Sequence, residues 1–290
     1  MSSYQWVLSW RTVKRVLYGR KMTNPEDRYN METNSNQNSE HLYGINAITT
    51  LLEVNSGHRK IYGIFISDRR KQDNRIDNIR KLAGKNNTKV SIVPHADFRS
   101  MAQDEENTQN IAAEVSPYSP SDLDHYLLNN LKPKSRLMML DQVTDMGNFG
   151  SIIRNCRAFG FEGIIITKKR SVSLGSKVSR ISAGALEGVR IFRVSNLVMT
   201  IKKLKSAGLW IYGTTLEKNR KIQGLDSTDF AFPMALVMGS EDRGMSRIVT
   251  ENCDVLVSVK LTGKIQSLNV SVASGIILHH IQGKYREEKS

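Results

Sequence analysis

Apolar positions along the chain fall into two regimes. From Leu42 onward, Ile45, Ile48, Leu51 and Leu52 recur at helical spacing, and the run Lys60-Ile61-Tyr62-Gly63-Ile64-Phe65-Ile66 after a glycine-containing turn reads as a strand. A helix over 77–85, a strand over 89–93, a short helix near Phe98 and a strand over 111–115 complete a small α/β domain. Pro117, Pro120 and Pro133 bracket a connector holding one amphipathic helix, 122–131. Beyond Pro133 the apolar runs lengthen, with strands expected at 136–140, 163–167, 189–194, 209–214, 235–238 and 255–259. Helices are expected near 149–159, 196–206, 244–251 and 270–282. Apolar strands separated by helices predict a parallel sheet covered on both faces. Ligands of such sheets bind outside the carboxyl ends of the strands, so the residues just after each run are the ones to inspect.

The first 40 residues differ from both regimes. They carry Arg11, Lys14, Arg15, Arg20 and Lys21 without an acidic residue in the first 25, then a polar stretch from Met31 to Glu40. This reads as an organelle presequence or as a plain extension with Met22 as an alternative start, followed by a flexible linker.

Of 290 residues, 39% are hydrophobic and 24% charged, the balance of a folded protein. Two cysteines exclude a disulfide framework and fit a reducing compartment, no Cys/His spacing suits zinc, and no apolar run approaches the roughly 20 residues of a membrane span. The expectation is a soluble, cytoplasmic protein without a membrane association, the presequence being the alternative. The net charge of +14 is uneven: residues 135–290 hold 23 basic against 13 acidic side chains. A polyanion such as RNA or DNA is the natural partner, although a basic surface without specific function gives the same count.

Three segments following apolar strands could carry chemistry. The first is Asp141-Gln142-Val143-Thr144-Asp145-Met146-Gly147-Asn148-Phe149-Gly150, leading into a helix with Arg154. Its glycines permit a sharp turn, Asn148 can cap the helix, and Arg154 follows about one and a half turns later. The second, Gly239-Ser240-Glu241-Asp242-Arg243-Gly244, suits close approach of a ligand to the main chain, and equally a tight turn. It lacks the spacing of a dinucleotide fingerprint. The third, Ser267-Leu268-Asn269-Val270-Ser271-Val272-Ala273-Ser274-Gly275, places three small polar residues at period two at the mouth of an apolar helix, where they bond a ligand or cap the helix.

Together and in this order, the three segments resemble the signature motifs of the SpoU/TrmH family of RNA ribose 2′-O-methyltransferases, of the trefoil-knotted SPOUT class. Asn148 and Arg154 match the first motif, Ser182-Ala183-Gly184-Ala185 with Glu187 an intermediate one, Met238-Gly239-Ser240-Glu241 with Gly244-Met245 the second, and Ser267 to Ser271 the third. The segment opening His41-Leu42-Tyr43-Gly44 is similar to the L30e-like substrate-binding domain of the ribosomal-RNA guanosine branch. The resemblance implies an extension over 1–40, an L30e-like α/β domain over 41–117, a linker over 118–134, and a knotted parallel-sheet methyltransferase domain over 135–290.

It further implies S-adenosylmethionine as cofactor, no metal, and a homodimer that buries part of the C-terminal helix. The cofactor pocket would use Thr214, Gly239, Val259, Leu261, Ile265 and Leu268. Arg154 matches the family's catalytic arginine, with Asn148, Glu241, Ser267 and Asn269 positioning it, the ribose and the cofactor. A guanidinium holds its proton tightly and is a poor base, so Arg154 could instead orient a phosphate and stabilise a developing alkoxide. His279 and His280 read as structural or rim residues, Cys156 and Cys253 as small buried ones. The expected reaction is 2′-O methylation of ribosomal RNA at a guanosine. Alternatives are the same reaction on transfer RNA, or an RNA-binding assembly factor without catalysis.

Overall fold

The computed structural model describes residues 39–54, 57–102, 107–215 and 222–287; residues 1–38 of the basic extension lie outside the described residues. The chain divides into two units, Met1–Ser119 with Leu174–Glu187, and Pro120–Ser173 with Gly188–Ser290.

In the first unit, β1 (Glu40–Tyr43), β2 (Ile61–Ser67), β3 (Val90–Val93) and β4 (Ile111–Val115) form a sheet of order β1-β4-β2-β3. Only the β2–β3 pairing is parallel. Three helices accompany the sheet: α1 (Ile45–Val54), α2 (Asn74–Lys85) and α3 (His95–Ala102). The helical period seen in the sequence is the packed face of α1, since Ile45, Ile48, Leu51 and Leu52 join Ile64, Ile66 and Ile111 in one core. Asp73 caps α2 by accepting from the backbone N–H groups of Arg75 and Ile76. Glu40, read as the end of the polar stretch, opens β1. The strand escapes the sequence pattern because it is four residues long and only Leu42 is buried.

Leu174–Glu187 packs with this unit although its sequence lies between two strands of the other. It forms α6 (Ser176–Ile181), numbered after α4 and α5 of the second unit, and the start of a single-turn helix, Ala185–Gly188. Three interactions hold it. Glu40 accepts from the backbone N–H of Ser176 at 2.8 Å, at the helix start. Arg59 donates from Nε to Glu187 at 2.9 Å, pairs also with Glu40, and donates to the Ser116 carbonyl at 2.8 Å. Gly184, at φ +84°, lies so close to α1 that a Cβ would stand 2.5 Å from the Ala47 Cα. Burial lifts the Glu187 carboxyl above the usual carboxylate range even with Arg59 beside it.

The second unit is built on seven parallel strands in the order β7-β6-β5-β10-β8-β11-β9. They are β5 (Arg136–Asp141), β6 (Gly163–Thr167), β7 (Arg190–Val194), β8 (Trp210–Thr214), β9 (Ile222–Gly224), β10 (Met234–Gly239) and β11 (Val255–Ser258). Every residue of β5 and β10 is buried, as expected of central strands covered on both faces. Helices α4 (Leu123–Asn129), α5 (Met146–Ala158), α7 (Leu197–Ser206), α8 (Arg247–Glu251) and α9 (Val270–Glu287) complete the unit. Leu137, Met139, Ala235 and Val237 alternate onto one face with Leu123 and Tyr126 of α4 and Leu197, Ile201 and Leu204 of α7. The short β9 and α6 are elements that the sequence pattern does not reveal.

Candidate functional site

At the carboxyl edge of this sheet the first polar segment begins, right after β5. Asp141 is buried there and accepts from the Ser246 backbone N–H at 2.7 Å, tying β5 to the entry of α8. The cap of α5 is Asp145, which accepts from the Asn148 N–H at 2.7 Å. Asn148 is therefore not the cap expected from the sequence. The helix starts earlier, at Met146, because Asp145 reaches the free N–H first and leaves the Asn148 amide to turn elsewhere.

That amide faces α9, the long C-terminal helix. Asn148 Oδ1 accepts from Asn269 Nδ2 at 2.9 Å, and the same Nδ2 donates to Glu241 Oε2 at 2.9 Å. The other end of the Asn269 side chain caps α9: Oδ1 accepts from the Ser271 N–H at 2.9 Å and the Ser271 hydroxyl at 2.6 Å. One side chain thus performs both tasks the sequence left open, capping a helix and joining residues from three distant segments. Seven residues beyond Asn148, and so on the same helical face, Asn155 donates to the Ser271 carbonyl at 3.0 Å and the Ser274 hydroxyl at 2.8 Å. Asn155 and the fully buried Ser274 are neighbours of this cluster to which the motifs gave no role, although Ser274 lies in the third segment; the seven-residue spacing of two amides on one face was the available signal for Asn155.

Glu241 comes from a turn after β10. Ser240 and Gly244 exchange backbone hydrogen bonds at 3.1 and 2.9 Å, with Gly244 at φ +63°. The chain doubles back so closely that a Cβ on Gly239 would stand 1.9 Å from the Gly244 carbonyl carbon. Only glycine fits there.

Beside this turn lies a cleft of about 1030 Å³, at the upper end for a small-molecule site. Its lining includes all six residues read as cofactor-binding, Thr214, Gly239, Val259, Leu261, Ile265 and Leu268, together with Glu241 and Ser267. Thr214 ends β8 and Gly239 ends β10, so the cleft opens where parallel sheets present their ligand sites. The walls combine strand-end residues with the apolar Val259, Leu261, Leu268, Ala273 and Ile277.

Arg154 stands apart. It is exposed on α5, does not line the cleft, and its guanidinium makes no hydrogen bond or ion pair with any described residue. It follows directly before Asn155, which fixes that part of α5 against α9. The apolar Val272 and Ile276, four residues apart on α9, are 52% and 41% exposed.

His279 is exposed and meets Phe159 edge-on, while His280 is half-buried against Phe230. Cys156 is buried and Cys253 partly so; burial raises both thiols, Cys253 to about 12. Among the described residues, no group of His, Cys, Asp and Glu could hold a metal ion, and no helix is long and apolar enough to cross a membrane.

Comparison with known proteins adds to this geometry. Residues 135–279 match the SpoU rRNA Methylase family, and residues 41–121 match the domain described as RNA 2′-O ribose methyltransferase substrate binding. The chain is 32% identical over 251 residues to YacO of Bacillus subtilis, covering 86% of this chain and 97% of that protein. It is 35% identical over 240 residues to the 23S rRNA (guanosine-2′-O-)-methyltransferase RlmB of Nitrosomonas europaea, covering 83% and 90%. Among solved structures, the SpoU methyltransferase AviRb from Streptomyces viridochromogenes, in complex with AdoMet, shares the fold with a TM-score of 0.68 at 21% identity, covering 96% of this chain and 99% of that one.

Proposed function

Since the chain belongs to the SpoU rRNA methylase family, we propose that it methylates a ribose 2′-hydroxyl of RNA with S-adenosylmethionine, its target a guanosine of large-subunit ribosomal RNA. The observation that carries this reading is the Asn269 side chain, which joins Asn148 and Glu241 beside a cleft lined by strand-end backbone and apolar side chains. The likeness to RlmB over most of both chains and the substrate-binding domain favour ribosomal over transfer RNA.

In this reading Thr214, Gly239, Val259, Leu261, Ile265 and Leu268 hold the cofactor, which supplies a methyl group made electrophilic by its sulfonium. Gly239 gives backbone access that no side chain would leave open. Glu241 and Ser267 border the cleft, and Asn269 fixes the Glu241 carboxylate toward α5. Arg154 binds the phosphate next to the target ribose and stabilises negative charge developing on the 2′-oxygen, the proton passing to phosphate or water. The work of these residues is alignment and electrostatics.

The site is completed by a second copy of the chain. Arg154 lies outside the lining of its own cleft, and Val272 and Ile276 form an exposed apolar stripe on the helix that Asn269 caps. A homodimer burying that stripe would bring the partner's surface to the cleft, in the knotted arrangement of the family. Its free cysteines fit the reducing cytoplasm.

The test is transfer of tritium from labelled cofactor to ribosomal or transfer RNA, followed by mapping of ribose methylation in cells with and without the protein. One ribosomal guanosine losing its methyl group is the expected result. Transfer to neither RNA would leave an RNA-binding assembly factor instead.

A further inference from the structure

The second unit carries another group of cations that the proposed chemistry does not use. β6 ends at Thr167, and the chain continues as Lys168-Lys169-Arg170-Ser171. Met139 of β5 pairs with Ile165 of β6, so by parallel register Asp141 and Thr167 end level on neighbouring strands. The turn after β6 therefore leaves the same sheet edge as the loop leading to the Arg154 helix, one strand spacing of about 5 Å away.

This turn is built by specific bonds. The Lys168 N–H donates to the Val194 carbonyl at 2.8 Å, the Ser171 hydroxyl to the Thr167 carbonyl at 2.6 Å, and the Thr167 hydroxyl to the Lys169 carbonyl. Its far end is pinned by buried Val172, whose carbonyl accepts from Arg193 at 3.0 Å. Arg170 sits at φ +55°, a left-handed conformation rare for a residue with a side chain. Yet the three charged side chains point outward. Lys168, Lys169 and Arg170 are exposed, and none of their side chains meets a hydrogen-bond partner or carboxylate among the described residues. On the neighbouring strand end and the loop after it, Asp141 accepts from the Ser246 N–H and Asp145 from the Asn148 N–H. A backbone fixed by four hydrogen bonds around three uncompensated cations is an arrangement for anions.

We infer that Lys168, Lys169 and Arg170 form a phosphate-binding turn that grips the RNA strand beside the target nucleotide. The inference rests on the RNA methyltransferase reading and names the residues that hold its substrate. Three phosphate contacts steepen the salt dependence of binding, each contributing roughly 0.7–0.9 to the slope of log affinity against log salt.

The experiment compares the full chain with the triple variant K168A/K169A/R170N, where asparagine tolerates the left-handed backbone, and with K169E alone. RNA binding is read by fluorescence anisotropy on a fragment of large-subunit ribosomal RNA across a salt series. Methyl transfer is measured on the same fragment, and cofactor binding by calorimetry. The expected triple variant binds cofactor as before, has a salt slope shallower by about 2 to 3, and shows KM for RNA raised at least tenfold with kcat near its original value. K169E, which alters one exposed side chain, shows the same direction and serves if the triple variant loses cofactor binding. An unchanged salt slope and KM in K169E, or in a triple variant that still binds cofactor, overturns the inference. If the unaltered protein transfers no methyl group but its RNA binding still depends on the turn, the phosphate site stands and the enzyme reading fails.

Discussion

The two ends of the Asn269 side chain do different things. Its Oδ1 caps α9 while its Nδ2 holds Asn148 and Glu241. The tasks separate by substitution. Asn269→Asp keeps the capping oxygen, replaces the donor by a second carboxylate facing Glu241, and should leave the melting temperature within a few degrees while methyl transfer falls at least tenfold. Asn269→Ala should lose the cap as well, about 1 kcal/mol of stability measured by denaturant unfolding. Arg154 has no structural bond to lose, so Arg154→Lys should fold as before. A planar two-pronged contact to phosphate is not reproduced by an ammonium, and single-turnover methyl transfer should drop by about tenfold or more. Near-normal turnover would remove both the base and the stabiliser roles. The cysteines should be silent: with Cys253 raised to about 12 by burial and Cys156 raised as well, alkylation by iodoacetamide at pH 8 should wait for unfolding.

At the level of elements, legibility followed burial. The runs at 111–115 and 163–167 were read to the residue because their apolar positions are also their buried ones. β1, β9 and α6 were not, being three to six residues long with too few buried positions to set a period. The start of α5 was misread for a chemical reason: Asp145 and Asn148 both offer a capping oxygen, and only the backbone shows which one meets a free N–H. Of the six residues that the family resemblance implies for the cofactor, Thr214 and Gly239 end strands and the other four follow the last strand, and all six line one cleft, whereas Asn155 was hidden by its ordinary helical setting.

The contact between Glu187 and Arg59 could not be read from either segment alone, since 128 residues separate them. Its energetics are nevertheless predictable. Both side chains are fully buried, so Glu187→Ala leaves Arg59 short of a partner and should cost about 3 kcal/mol, seen as an earlier thermal transition. Folding raises the Glu187 carboxyl, so its protonation favours the folded state below the ordinary carboxylate range, and that contribution is lost as pH rises through the folded value. Glu187→Gln should remove this part of the pH dependence, measured by calorimetry across the acid range.

For the whole molecule, the proposal of a site shared between two copies makes a quantitative demand. An Arg154→Ala chain and an Asn269→Ala chain should each be nearly inactive. Unfolded and refolded together, they should recover roughly a quarter of normal methyl transfer, since half the dimers are mixed and each mixed dimer holds one intact site. No recovery, with mixed dimers present by native mass spectrometry, would mean that Arg154 serves its own chain. Placing V272E and I276E on α9 should give monomers by sedimentation and little transfer.

The excursion of Leu174–Glu187 bears on how such a protein can be taken apart. Three points of covalent passage, not one, tie the two units together, so no single cut yields both in finished form. A fragment beginning at Pro120 would carry a stretch shaped for a host it no longer has, with Glu187 stripped of its guanidinium. One ending at Ser119 would bare the surface around Ala47 and Arg59. Exchange of the small unit between relatives should therefore succeed only when the donor's version of 174–187 travels with it.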